Sequence, residues 1–141
     1  MKKNHVDVII MGAGLPGIGA ACHLQRKCPD KSYIVIEARN SMGGTWDLFR
    51  YPGIRSDSDM YTLGYNFKPW TNPKVIADGP TILSYIKETA IDYKVEDKIK
   101  YNTKATEIRW STKESLWMVN CIDTKTNESV VYTCNFLESC L

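Results

Sequence analysis

Three glycines and one acid carry the strongest chemical signal in this chain. Gly12, Gly14 and Gly17 stand in Gly12-Ala13-Gly14-Leu15-Pro16-Gly17, and Glu37 follows about 20 residues beyond the last of them. Gly12 suits a sharp turn off a strand. Gly14 has no Cβ, so backbone there can approach a pyrophosphate. Gly17 lets a helix pack close against a strand. Amides at the start of such a helix lack intrahelical partners and sit at the positive end of its dipole, so they face phosphates. A carboxylate at position 37 accepts hydrogen bonds from ribose hydroxyls and repels a 2′-phosphate. A glycine turn alone can be purely structural, so its context decides.

That context requires strand, turn, helix and strand. Residues 6–11, with Val6, Val8, Ile9, Ile10 and Met11, read as a strand whose near-continuous apolarity suits a parallel sheet covered on both faces. Residues 15–27 read as a helix, with Pro16 tolerable in its first turn and Pro29-Asp30 closing it. Residues 32–37 form a second strand that ends on Glu37. The set is the dinucleotide-binding fingerprint in its required setting.

Residues 38–80 are long and mostly irregular, and loops of that length in compact domains are functional or disordered. Trp46, Phe49, Tyr51, Tyr61, Tyr65, Phe67 and Trp70 argue against disorder. Packing on protein accounts for most of these rings, and ligand contact for two or three. Gly43-Gly44 is a second place where backbone can approach a ligand unhindered. Residues 80–93 read as a helix with Pro80 at its start and Ile82, Leu83, Ile86 and Ala90 on one face, followed by a solvated charge run at 94–98. Residues 99–101, 105–110, 116–122 and 130–136 read as strands, with turns at 112–114 and 123–127, and their alternation fits a small, half-exposed antiparallel meander.

At 141 residues one domain is expected, burying roughly two-thirds of the unfolded chain's surface. An apolar fraction of 43% excludes wholesale disorder. The net charge of +2, with both signs interspersed, gives no basic stripe for nucleic acid or an anionic membrane. Cys22, Cys28, Cys121, Cys134 and Cys140 form no CxxC pair and no metal spacing with His5 or His23, so no metal is expected and reduced thiols in a cytoplasmic setting are. Met1-Lys2-Lys3 before an apolar run imitates a secretory signal, but Asp7 and the early glycines favour a strand. No stretch approaches the roughly 20 apolar residues of a membrane span.

The combination GAGLPGIGAACHL, then IEAR, then GGTWDLFRYPGIRSDSDMYTLGYNFKPW resembles the amino-terminal part of flavin-dependent class B monooxygenases, most of all the Baeyer–Villiger type and its ethionamide-activating group. The resemblance covers about residues 5–137 and is densest from Val6 to Pro80. It implies a Rossmann-like α/β fold, FAD and NADPH as cofactors, and O₂ and a small molecule as substrates. In such proteins reduced flavin adds O₂ to give a C4a-peroxyflavin, which oxidises ketones, or sulfur or nitrogen; the protein positions the cofactor and excludes water. Carried across by motif, Gly12, Gly14, Leu15 and Gly17 line the FAD pyrophosphate, and Glu37 holds the adenosine ribose. Gly44, Thr45 and Trp46 run toward the flavin, Arg55 and Ser56 approach NADPH, and backbone near Thr106 touches adenine. Asp57 matches a catalytic acid near the flavin that orients an arginine of the second nucleotide domain. Read on its residues alone, Asp57 is instead a turn or cap aspartate in a Ser-Asp-Ser-Asp run.

Residues 1–141 are thus expected to be the FAD-binding portion of a longer enzyme. There is no second glycine fingerprint for NADPH and no arginine partner for Asp57, and at Glu138-Ser139-Cys140-Leu141 the chain departs from the Cys-Ser-Gly-Tyr-Tyr-like continuation, as if truncated with its final FAD-binding strand cut. Alternatives are a monooxygenase restricted to nitrogen or sulfur, a flavin disulfide reductase or amine oxidase (disfavoured by the lack of CxxC and by GGTW with RYPGIRSD), and a non-catalytic nucleotide-binding remnant. Oligomeric state and substrate are not readable from these residues.

Overall fold

The computed structural model describes residues 4–141, so the Met1-Lys2-Lys3 segment behind the secretory-signal alternative lies outside the described residues. The chain runs β1 (His5–Met11), α1 (Leu15–Lys27), β2 (Tyr33–Ile36), α2 (Thr45–Leu48), α3 (Met60–Leu63), α4 (Gly79–Asp92), a 3₁₀ turn at Glu96–Lys98, β3 (Ile99–Lys100), β4 (Thr103–Ser111), β5 (Leu116–Asp123) and β6 (Ser129–Ser139). One sheet of six strands results, in the order β3-β2-β1-β6-β5-β4. β3, β2, β1 and β6 run parallel, while β5 and β4 are antiparallel to their neighbours.

Alternation along β1 and β2 sends side chains to two cores. Val8, Ile10, Tyr33 and Val35 join Ile18, Ala21 and Cys22 of α1 and Ile82, Ile86 and Ala90 of α4. Ile9, Met11, Ile34 and Ile36 face the other way and pack with Val119, Cys121 and Cys134 of the meander. The parallel strands are therefore covered on both faces, which explains their continuous apolarity.

The expected antiparallel meander is continuous with the parallel strands. β6 pairs with β5 through Ser129–Cys134 and with β1 from Thr133 to Ser139, so one long strand joins both halves of the sheet. This corrects the expectation of a cut final strand: β6 flanks β1 along its whole length, with Met11 opposite Ser139. The long loop is also more ordered than expected. It contains the single-turn helices α2 and α3; Tyr65 stacks on Phe67 and Tyr85, while Phe67 meets Tyr93 and Trp70 meets Tyr85 edge-on, at centroid separations of 4.9–5.6 Å. α4 starts at Gly79, one residue earlier than expected, because Asp78 caps it by accepting from the Thr81 amide at 2.9 Å.

Candidate functional site

The end of β1 delivers the chain into the first glycine bend. Gly12 has φ of +100°, and a Cβ there would lie 2.8 Å from the Cys140 carbonyl oxygen. A Cβ on Gly17 would lie 1.8 Å from the Gly12 carbonyl oxygen, so α1 touches the bend backbone to backbone. The helical ladder opens with the Ile18 amide donating to Gly14 O at 3.0 Å, which leaves the amides of Leu15 and Gly17 ahead of it. Gly14 offers no side-chain cap, and no acid stands in the first turn to compete for these amides.

The second glycine pair forms the opposite wall. The Gly43 amide donates to Ala13 O at 2.9 Å. A Cβ on Gly44 would lie 3.0 Å from the Cα of Gly14, so the two bends meet where neither residue has a side chain. Gly43 and Gly44 both have positive φ, at +119° and +53°.

Glu37, directly after β2, reaches the first bend: Oε2 accepts from the Ala13 amide at 2.9 Å and Oε1 from the Arg39 amide at 3.0 Å. Gly12 and Ala13 amides are therefore engaged within the protein, the former with Ile36 O at 2.8 Å, and the amides of Gly14, Leu15 and Gly17 are left for an anion. Each Glu37 oxygen retains a lone pair for a ribose hydroxyl.

A cleft of about 450 Å³ lies between the bends, lined by Gly12, Gly14, Leu15, Glu37, Arg39, Gly44, Thr45 and Trp46 among others. That volume falls within the roughly 300–1,000 Å³ of small-molecule sites. Trp46 also lines a neighbouring cavity of about 1000 Å³ with Phe49, Arg50, Tyr51, Arg55 and Lys74. An elongated ligand can thus pass from a glycine-walled compartment, across Trp46, to an aromatic and cationic one. The free helix amides, the carboxylate with spare acceptor capacity and the bare glycine walls fit the ADP half of a dinucleotide cofactor such as FAD.

The structure brings Gly12, Gly14, Leu15, Glu37, Gly44, Thr45 and Trp46 together in the cleft, with Gly17 directly behind Gly12. Arg55 lines the larger cavity. Ser56 is buried, its hydroxyl donating to Ser58 O at 2.7 Å and accepting from the Ser58 amide, so it shapes its own turn instead of facing a ligand. Asp57 is exposed and lines neither cavity. It is not a helix cap either, since Asp59 caps α3 by accepting from the Thr62 amide at 3.0 Å. Thr106 is not among the residues lining the cleft. It stands exposed on the edge strand β4 at a register shift, with its hydroxyl donating to Asn120 O, while Thr103, three residues earlier, donates its amide to Glu37 O at 2.9 Å. Of the loop aromatics, Trp46, Phe49 and Tyr51 border the cavities, and Tyr65, Phe67 and Trp70 are spent on packing.

Sequence reasoning missed Asp47. It is 3% exposed and accepts from Arg39 Nη2 at 2.8 Å, Ser41 Oγ at 2.6 Å and Arg50 Nη2 at 2.6 Å. Burial pushes its carboxyl up, but the hydrogen bonds from Ser41 and Arg50 and the charges of Arg39 and Arg50 outweigh burial and hold it below the ordinary carboxylate value. An acid between two arginines, at residues 39, 47 and 50, was the available signal.

Residues 10–75 match the family model for an NAD(P)-binding Rossmann-like domain. The FAD-containing monooxygenase EthA of Mycobacterium tuberculosis (strain ATCC 25618 / H37Rv) is 54% identical over 137 residues, covering 97% of this chain and 28% of that protein. The structure of OTEMO complexed with FAD and NADP aligns with a TM-score of 0.84 at 33% identity, over 99% of this chain and 26% of that one. Oxidised steroid monooxygenase bound to NADP aligns with a TM-score of 0.84 at 26% identity, over 98% and 26%. The chain therefore spans about a quarter of the length of the relatives it matches.

Proposed function

We propose that residues 1–141 are the FAD-binding portion of an NADPH- and O₂-dependent flavin monooxygenase that oxidises ketones in the Baeyer–Villiger manner, or sulfides. The observation that carries this reading is the contact between the two glycine bends beside Glu37, in a chain 54% identical to an FAD-containing monooxygenase over nearly all its length.

In this reading Gly12 and Gly14 admit the pyrophosphate, and the amides of Leu15 and Gly17 donate to it at the positive end of α1. Gly17 keeps the helix close enough to do so. Glu37 accepts from the adenosine ribose and repels a 2′-phosphate, which selects FAD over NADPH in this cleft. Gly44, Thr45 and Trp46 guide the cofactor toward the larger cavity. Bound there, FAD supplies the electron-transfer and dioxygen chemistry that no side chain of this chain provides. Arg55 lies where NADPH approaches, and the exposed carboxylate of Asp57, committed to no cap, is available to orient an arginine outside these residues. A backbone contact from β4 to adenine belongs to the Thr103 end of the strand better than to Thr106, because Thr103 bonds to Glu37. NADPH binding would require a second nucleotide unit, and residues 1–141 carry one glycine fingerprint. The five unpaired thiols fit a cytoplasmic setting.

Equilibrium dialysis of the purified chain against FAD and against FMN tests this reading. FAD, which carries ADP, is retained, whereas FMN is not. Equal retention of both, or of neither, would refute the assignment of the cleft.

A further inference from the structure

We propose that Arg39 is a phosphate-binding residue of the dinucleotide cleft and that Asp47 is the positioning residue that holds its guanidinium there. The inference rests on the reading of the cleft as a nucleotide site and names a cation that the glycine fingerprint does not contain.

Asp47 sits on α2, the helical turn immediately after Gly43-Gly44. A buried carboxylate is costly unless paired and hydrogen-bonded, and this one is both: Oδ2 holds Arg39 and Ser41, and Oδ1 holds Arg50. Its two arginines part company on the surface. Arg39 lines the smaller cleft, and Arg50 lines the larger cavity. One guanidinium and one hydroxyl would have neutralised and bonded the carboxylate. The second guanidinium leaves the cluster with a net positive charge, and Arg39 presents that excess to the cleft.

Its position selects phosphate over the rest of a nucleotide. Arg39 Nη1 lies 3.5 Å from Gly44 O, and Gly44 abuts Gly14 at the bend whose neighbouring helix amides have no intrahelical partner. The side chain keeps 35% of its surface exposed, and an arginine has five N–H donors, most of which remain for a ligand. A planar fork held at one edge by a carboxylate is pre-oriented for the paired oxygens of a phosphate. With Glu37 assigned to the ribose, Arg39 is held beside Gly44, at the glycine wall proposed for the phosphates.

Titration calorimetry of the full chain with ADP and with adenosine tests both halves of the inference, in wild type, Arg39→Gln, Asp47→Asn and the double variant, with circular dichroism to verify folding. Arg39→Gln weakens ADP about tenfold, as expected for a lost charge-assisted bond, and leaves adenosine within about twofold. Asp47→Asn weakens ADP several-fold when Arg39 is present and has no effect in the Arg39→Gln background. Arg39→Lys restores part of the ADP affinity. ADP binding unchanged by Arg39→Gln, or adenosine falling in parallel with ADP, overturns the role of Arg39. Equal losses from Asp47→Asn in both backgrounds overturn the positioning role. If wild type binds neither ligand, the nucleotide reading itself fails, and this inference with it. Should Asp47→Asn not fold, the Arg39 series alone decides the phosphate assignment.

Discussion

Gly17→Ala is the sharpest structural test, because its consequence follows from one distance. The added Cβ would lie 1.8 Å from the Gly12 carbonyl oxygen and 2.8 Å from its carbonyl carbon. Contacts below 3.0 Å force a shift, so helix and bend must part by about 1.2 Å. Overpacking costs about 1–3 kcal/mol where side chains can yield. Neither partner here is a side chain, so about 3 kcal/mol is a lower bound. Alanine's better helix propensity returns about 1 kcal/mol, leaving a net loss of at least about 2 kcal/mol. For a chain of this size 1 kcal/mol moves the melting temperature by about 4 °C, so Gly17→Ala melts about 8 °C or more below wild type. Gly53→Ala separates sterics from backbone strain. Gly53 has φ of +84°, yet a Cβ there meets nothing within 4 Å. It costs about 1 kcal/mol through its left-handed backbone alone, or about 4 °C. Thermal melts followed by circular dichroism read both values, and calorimetry with ADP shows that only Gly17→Ala also loses the ligand. A Gly17→Ala melting point within about 3 °C of wild type would refute the backbone contact.

Glu37→Gln keeps the shape of the side chain but removes its charge; ADP weakens about tenfold, and the preference for ADP over 2′,5′-ADP narrows, which competition dialysis measures. Asp47 has its folded-state value depressed, so its stabilising contribution is fully present above its ordinary value of 3.8 and is lost as pH falls through the lower folded value. The melting-temperature gap between wild type and Asp47→Asn is therefore constant near neutrality and shrinks below about pH 4 in acid melts. Burial pushes the Cys22 and Cys121 thiols up to about 11, and Cys134 is also buried, so a chromogenic disulfide at pH 8 labels the half-buried Cys28 and Cys140 first and the other three on unfolding.

What was legible in the sequence was what local chemistry enforces. α1 spans Leu15–Lys27, as expected from the glycine start and from Pro29-Asp30 beyond its end, and Glu37 falls beside the bend because β2 lies parallel to β1. The extent of the sheet was not legible. β6 pairs with β1 across most of the chain, His5 opposite Thr133, and no residue pattern near either strand announces that register. The meander therefore read as a small antiparallel unit of the one domain, without its pairing to β1. The run Ser56-Asp57-Ser58-Asp59 shows the same limit at small scale: either aspartate could cap a helix, and only the start of α3 at Met60 assigns the role to Asp59. Asp47 was only partly legible, as an acid between two arginines, for the opposite reason. Its partners are close in sequence, but without the turn at Gly43-Gly44 nothing indicates that its carboxylate points inward.

The second glycine pair decides how the first should be understood. A lone glycine bend needs only to turn the chain, and its helix amides can be left to water. Here another backbone comes up against it, tied by the Gly43 amide to Ala13 and by the approach of Gly44 to Gly14. Such an approach excludes side chains from both bends and leaves the bend's remaining donors facing a cleft instead of bulk solvent. The long loop that follows β2 is therefore the second wall of a site. Its buried Asp47 cluster supplies the rigidity that wall needs, and its aromatic rings divide between those that stiffen it and those that border the ligand space. Glycines at both bends, an acid after the second strand and a charged anchor behind the wall are separate sequence features, and the proposed binding of a phosphate-bearing, ribose-containing ligand accounts for all of them in one place.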